Sequence, residues 1–415
     1  MKRNVIVGQS GGPTAAINSS LAGVYRTAKD RGANKVYGML HGVQGLLEEK
    51  YIDLSDHIKT ELDAELLKRT PAVFLGSCRY KLPEIHEDRD VYERIFGILD
   101  KLDIEAFIYI GGNDSMDTIK KLSDYAIITG HPTRFIGCPK TIDNDLALTD
   151  HTPGYGSAAK YIGTSMKEII RDSFCLEYSN GLVSIVEIMG RNAGWLTGAA
   201  ALSKGEDCEG PDLIYLPELP FELEKFGEKV RKLLEKKPSV VVAVSEGIHT
   251  ADGTYICELG SSVDFVDAFG HKQLSGTASY LASYIAGEIG CKTRSIELST
   301  LQRSASHAAS RVDILEAYQV GGAAVKAADE GDSGKMVVLQ RLSDDPYQCG
   351  TEVKDVHKIA NDEKLVPREW VNEEGTYVTN EFISYVRPLI QGDVSPVMVD
   401  GIPRHLYTPR ELSEK

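Results

Sequence analysis

Asn4-Val-Ile-Val-Gly-Gln-Ser-Gly-Gly-Pro-Thr-Ala-Ala-Ile-Asn18 (NVIVGQSGGPTAAIN, residues 4–18) reads as a short β-branched strand, a glycine-rich turn and the start of a helix. The strand is Asn4–Val7, and the helical pattern runs to about Lys29. The same plan recurs along the chain. Ala106–Ile110 leads through GGNDS (111–115) into a helix at Met116–Leu122, and Arg134–Gly137 feeds CPKTIDNDL (138–146). Leu182–Ile188 feeds MGRNAG (189–194) and a helix from about Trp195, and Val240–Val244 feeds SEG (245–247). Short buried strands separated by helices require parallel sheets with right-handed crossovers, so the fold class is α/β. Ligands of such sheets bind beyond the carboxyl ends of the strands, where the glycines and polar residues of this chain gather.

The chain has 415 residues, enough for two domains and an extension. Apolar residues make up 42% and charged residues 26%, which favours a buried core over disorder. A net charge of −15 argues against non-specific nucleic-acid or anionic-membrane binding, both of which need a basic face. The longest apolar runs fall far short of the ~20 residues of a bilayer span. The first residues pass at once into a strand, so no signal peptide is expected. Seven cysteines without a CxxC pair fit a reducing cytoplasm and argue against zinc. His41, His151, His271 and His307 have no ligand spacing and are expected to be structural or surface residues. Helices are expected at 276–286 and 307–329, a hairpin around Asp252-Gly253, and a surface loop at 204–210. One more strand is expected at Met336–Gln340, followed by a charged, proline-punctuated stretch without catalytic signal.

Three loops carry chemistry. Gly8–Asn18 matches neither GxGxxG nor GxxxxGK[ST]; it is either an anion cradle or a tight strand–helix turn. In Gly111–Ser115 an acid lies inside the turn, which suits a bridging divalent cation. The alternative is that Asp114 or Ser115 merely caps the next helix. Pro139–Asp145 is the sharpest signal. Asp143 and Asp145, two apart in an extended loop, face the same side beside Lys140 and Thr141. They offer a base for a hydroxyl proton, a second acid and a cation for phosphate oxygens, against the plainer reading of an Asx turn. Cys78 and Cys138 flank this region and are expected to be inert.

GQSGGPTAAIN, GGNDS, PKTIDND, MGRNAG, SEG and the Gln302-Arg303 turn occur in the order and spacing of the phosphofructokinase family, and the resemblance covers about residues 1–330. It implies two Rossmann-like three-layer αβα domains with largely parallel sheets, plus a C-terminal extension. Residues 1–154 with 302–335 would form a phosphoryl-donor domain, 155–301 a sugar-phosphate domain, and 336–415 a strand with a helical or extended arm. The resemblance makes Asp143 the catalytic base toward a sugar 1-hydroxyl, with Thr141 and Asp145 in the same loop. Gly11, Gly12 and Arg79 would hold donor phosphates. Met189, Gly190, Arg191 and Glu246 would receive the sugar, and Arg294 and Arg303 its 6-phosphate.

In the ATP-dependent branch the positions of Asp114 and Lys140 are typically glycines; Asp and Lys there mark the pyrophosphate branch. Two side chains in the space of a nucleotide's α-phosphate and ribose, one of them a carboxylate, exclude ATP while Lys140 serves the smaller donor. The resemblance therefore implies reversible, magnesium-dependent transfer from pyrophosphate to fructose 6-phosphate in glycolysis or gluconeogenesis. An ATP-dependent kinase or a non-catalytic sugar-phosphate-binding homologue are the alternatives, and a homodimer or homotetramer is expected. The chain departs from relatives at Asn113, where many have an Asp for the metal, so magnesium would rest on Asn113 and Asp114 or mainly on the donor. It departs again at Leu182 and Thr300, where an arginine and a histidine would contact the sugar phosphate; Asn180 or Lys272 are substitutes.

Overall fold

The computed structural model describes residues 1–260, 274–360 and 362–407, so His271 and Lys272 lie outside the described residues. The chain first lays down β1 (Asn4–Gln9), β2 (Val36–Met39), β3 (Tyr51–Asp53), β4 (Ile104–Gly111) and β5 (Arg134–Pro139). It crosses to a second sheet with β6 (Leu182–Ile188), β7 (Leu213–Tyr215), β8 (Ser239–Ser245) and β9 (Lys292–Glu297). It then returns with β10 (Lys335–Asp344) and β11 (Tyr347–Asp355). The first sheet has the order β11-β10-β5-β4-β1-β2-β3 and the second β7-β8-β6-β9. The second sheet is parallel throughout, while antiparallel β2–β3 and β10–β11 pairs finish the two edges of the first.

The central strands read as continuous apolar runs because helices cover both faces: β1 and β8 are buried at every position. Helices Ile17–Asp30, Asn113–Thr129 and Arg311–Glu330 pack on the first sheet, and Tyr155–Phe174 and Thr277–Ile289 on the second. The Ile17–Asp30 and Arg311–Glu330 helices touch backbone to backbone; a methyl group on Gly321 would overlap the Ser20 carbonyl. That contact binds an early helix to a late one, so the first sheet is completed by residues over 300 positions away.

The turn at Asp252-Gly253 forms as expected, with Thr250 N–H donating to Thr254 O at 2.9 Å. The helix expected at 307–329 starts later, at Arg311, because the Ser310 side chain caps it. The stretch after Gln340 adds a second strand before the expected helical or extended arm. It continues β10 and turns into β11, and then an extended segment leads to the helix Asn380–Val386. That helix puts Phe382 and Val386 into the core under the second sheet, beside Trp195 and Trp370. The cysteines are all unpaired, and burial pushes the Cys138 thiol up to about 12, as an inert packing residue requires. No described helix is long and apolar enough to cross a membrane.

Candidate active site

The glycine turns, the acidic loop, the strip from Met189, and Glu246 stand just past the carboxyl ends of strands. β1 delivers the first glycine turn, which is anchored from below. Gln9 accepts from Leu75 N–H at 3.0 Å, Ser77 Oγ donates to Gly11 O at 2.6 Å, and Thr14 Oγ1 accepts from Ile17 N–H at 2.9 Å. Gly11 has φ +79°, a left-handed conformation, and a side chain there would meet Lys140 Nζ at 3.2 Å. The backbone conformation therefore demands glycine, and a side chain would press on the Lys140 ammonium.

β5 delivers the loop beginning at Lys140. Its ammonium donates to Gly12 O at 2.8 Å and the residue is only 2% exposed, so it links the third loop to the first. Burial lowers its pKa to about 8 even though Asp143 and Asp145 favour the charge. Thr141 Oγ1 accepts from Asp143 N–H at 3.1 Å and donates to Asp143 Oδ2 at 3.3 Å, which fixes that carboxylate. Burial pushes Asp143 up, opposed by Thr141 and by the nearby Lys140, Arg191 and Arg303. Burial and the Asp143 charge push Asp145 up as well. The two acids do come together, but the loop between them is not extended: Asn144 is buried and left-handed at φ +56°. Asparagine tolerates that conformation, and its amide is used in full. It donates to Tyr385 OH at 2.9 Å and accepts from Thr152 N–H at 3.0 Å.

The second glycine turn starts the helix Asn113–Thr129 with Gly112 as its cap residue, so neither Asp114 nor Ser115 is the N-cap. Ser115 packs under Gly111, and Asp114 is exposed in the first turn of the helix. Asn113 Nδ2 approaches Asp145 Oδ2 at 3.4 Å, and Asn113 Oδ1 and Asp145 Oδ1 are both buried without a hydrogen-bond partner. An amide oxygen and a carboxylate oxygen, each buried without a hydrogen-bond partner, are of the donor type that a hard divalent cation takes. His151 is buried, with Nδ1 on Asp150 at 2.7 Å and Nε2 on Glu316 at 2.6 Å, a satisfied structural pair.

The second sheet supplies the other wall. Met189–Arg191 follow β6 and Glu246 follows β8, with Gly190 N–H directed at Glu246 Oε1 at 3.4 Å. Burial, with the charges of Asp143 and Glu187, raises Glu246 to about 7. Arg303, on the short helix Leu301–Ser304, lies with a guanidinium nitrogen 4.0 Å from where a side chain on Gly12 would begin. It is half-buried, its pKa lowered by burial and then by Arg79, and its Nε has no partner. Arg191, Arg303 and Lys140 thus bring two guanidinium groups and an ammonium near the Asp143 carboxylate.

Arg294 does not join this group. It sits midway along β9, opposite Ser184, ion-paired to Asp172 at 2.5 Å. Asn180 lies at the other end of the sheet, donating to Gly290 O. Three residues that shape the site escaped the sequence reading. Gln302 accepts from Met189 N–H at 3.2 Å and so pins the start of the strip after β6. Buried Glu187 accepts from Ala278 N–H at 2.9 Å at a helix N-terminus and faces Glu246. Lys364 reaches the Asp143–Asp145 loop from the C-terminal arm. Gln302 had a signal, since it precedes Arg303 in the quoted turn; a lone strand Glu and a lone Lys near prolines had none.

Residues 4–328 match the phosphofructokinase family. The pyrophosphate–fructose 6-phosphate 1-phosphotransferase of Xanthomonas campestris pv. campestris (strain B100) is 41% identical over 97% of this chain and 95% of that protein. The protein of the same name from Halomonas elongata is 39% identical over the same shares. The crystal structure of a pyrophosphate-dependent phosphofructokinase from Nitrosospira multiformis superposes with a TM-score of 0.87 at 35% identity, covering 97% of this chain and 95% of that one. With its glycine turns, acidic loop and paired sheets matched over nearly its whole length, this chain belongs to the phosphofructokinase family.

Proposed function

We infer that this chain transfers a phosphoryl group from pyrophosphate to the 1-hydroxyl of fructose 6-phosphate, reversibly, giving fructose 1,6-bisphosphate and phosphate. The observation that carries the residue roles is the Lys140–Gly12 contact beside Asp143. One buried ammonium fills the space over the glycine turn while a raised carboxylate waits next to it. In this reading Gly11, Gly12 and Arg79 hold the donor. Lys140 and the exposed Asp114 occupy the room a nucleotide would need, and Lys140 steadies charge on the leaving phosphate. Met189, Gly190, Arg191 and Glu246 receive the sugar hydroxyls, and Arg303 its phosphate. Arg294 would serve that phosphate only across a subunit boundary, in a homodimer or homotetramer.

Asp143 takes the proton of the 1-hydroxyl as the oxygen attacks phosphorus in line, and the bridging P–O bond breaks toward the departing phosphate. Thr141 keeps the receiving oxygen oriented. A carboxyl raised above its ordinary range is better matched to an alcohol proton than an unperturbed one. Asn113 and Asp145 would hold magnesium, which neutralises pyrophosphate oxygens when bound. The sheet of β1–β5, with β10 and β11, serves the donor and that of β6–β9 the sugar. One phosphoanhydride is exchanged for one phosphate ester, so the reaction runs in either direction of hexose metabolism.

The test is a coupled assay with fructose 6-phosphate and magnesium, supplying pyrophosphate or ATP as sole donor. Turnover with pyrophosphate alone is the expected result. Turnover with ATP alone would keep Asp143 as base but remove Asp114 and Lys140 as donor selectors. Silence with both would point to another acceptor or a non-catalytic homologue.

A further inference from the structure

We propose that Lys364, on the extended arm after β11, is a positioning residue for phosphoryl transfer: it holds the loop that presents Asp143 and ties it to the sugar-side strip. The proposal rests on the phosphoryl-transfer reading above. The arm joins the loop as a single rung of antiparallel bridge, Leu146 to Glu363, with Lys364 N–H donating to Asp145 O at 2.8 Å. The same two arm residues hold the other wall. Lys364 O accepts from Trp195 Nε1 at 2.8 Å, and Glu363 accepts from Asn192 Nδ2 at 3.0 and 3.2 Å. Glu218 adds a stitch, accepting from both Gly194 N–H at 2.8 Å and Val366 N–H at 3.0 Å. One short segment therefore clamps both the acidic loop and the strip 189–194.

The Lys364 side chain turns back under the loop. Its ammonium donates to Asp150 O at 2.7 Å, Thr149 O at 3.3 Å and the Asn144 amide oxygen at 3.4 Å. It lies over the Trp195 ring at 5.1 Å and the Tyr385 ring at 6.0 Å. Neutral oxygens and aromatic faces surround the charge, and the Asp150 and Asp145 carboxylates act on it across space. Withdrawing an ammonium from water without a directly bonded carboxylate is a costly way to gain stability. What an ammonium supplies that an apolar side chain cannot is three donors converging on separate oxygens. Those oxygens belong to Asn144, the left-handed residue between the two acids, and to the loop's return. A displacement of about 1 Å at Asp143 is enough to cost ~100-fold in rate.

The experiment compares steady-state kinetics of the full chain with Lys364→Met and Lys364→Arg, using pyrophosphate and fructose 6-phosphate. Lys364→Met should lower kcat by about 10- to 100-fold while both KM values stay within about threefold, because substrates are still bound but the base is misplaced. Lys364→Arg, which restores the charge and donors, should recover several-fold of that loss. Unchanged kcat in Lys364→Met would overturn the proposal. So would a loss in which both KM values rise together and Lys364→Arg recovers nothing, the signature of general structural damage. If Lys364→Met does not fold, Lys364→Gln is read by the same criteria. No turnover by the unmodified chain would refute the donor reading and this proposal with it, whereas turnover there with an unimpaired Lys364→Met would refute this proposal alone.

Discussion

The glycine turns and the C-terminal arm hold two ends of the same loop by different physics. At the amino end, Lys140 bonds to the Gly12 carbonyl, in a contact between two strand ends of one sheet. At the carboxyl end, Lys364 and Tyr385 hold Asn144 and Asp150 from more than 200 positions away in sequence. The first region uses short local devices, in which a strand stops, a glycine turns and a helix begins. The second uses side chains whose role exists only because a hairpin and a helix fold back. A loop presented by a local motif can thus depend for its shape on residues that carry no motif.

The sharpest break in this comparison comes from the base itself. Asp143→Asn should reduce kcat by roughly 10²–10⁴, the usual worth of a general base, with the melting temperature nearly unchanged. A variant keeping more than a tenth of the wild-type kcat would remove Asp143 from that role. Next in size is the donor end. Lys140→Gly with Asp114→Gly should lower kcat/KM for pyrophosphate by about 10² and open the site to ATP, since a charged donor to the leaving group is lost and space is gained. Loss of pyrophosphate use without any ATP turnover would show that the steric account of the glycine-turn region is incomplete.

A smaller effect is expected from pH. Carboxyls held above their ordinary range at Asp143 must lose a proton to act as bases, so kcat/KM should rise with pH along a limb displaced above the usual carboxylate range. Lys140, with its pKa brought to about 8, binds the anionic donor only while protonated, so the same parameter should fall above about pH 8. A flat profile between pH 5 and 9 would separate both groups from catalysis. The smallest effect belongs to the arm's edge. Tyr385→Phe removes a hydroxyl that donates to Asp150 O at 2.5 Å and accepts from Asn144 at 2.9 Å. A loss of about 1–2 kcal/mol of stability, read by urea unfolding, with kcat lowered a few-fold, is the expected outcome. A stability loss with no change in kcat would confine Tyr385 to folding and sharpen its contrast with Lys364.

Much of this was legible without coordinates because parallel strands ending in glycine turns obey local rules. Hydrophobic runs gave β1, β4, β5, β6 and β8, and PKTIDND gave Lys140, Thr141, Asp143 and Asp145 as neighbours. Local rules misjudged the conformation between the acids, because an extended loop is the default and only the partners of Asn144 stabilise its left-handed turn. They also gave no sign of the β10–β11 hairpin, whose polar edge strand lacks a strong alternation and is fixed by pairing with its neighbour.

The sequence by itself determined the fold class, the glycine turns at the strand ends and the grouping of Lys140, Thr141, Asp143 and Asp145 in one loop, because backbone conformation and residue type are set within a few positions. Only the tertiary structure decided that Asn113 and Asp145 each keep a buried oxygen without a partner, that Gln302 holds Met189, and that Lys364 contacts the loop of Asn144. Those contacts join residues far apart in the chain. Their worth comes from burial and convergent hydrogen bonds, which no local pattern records.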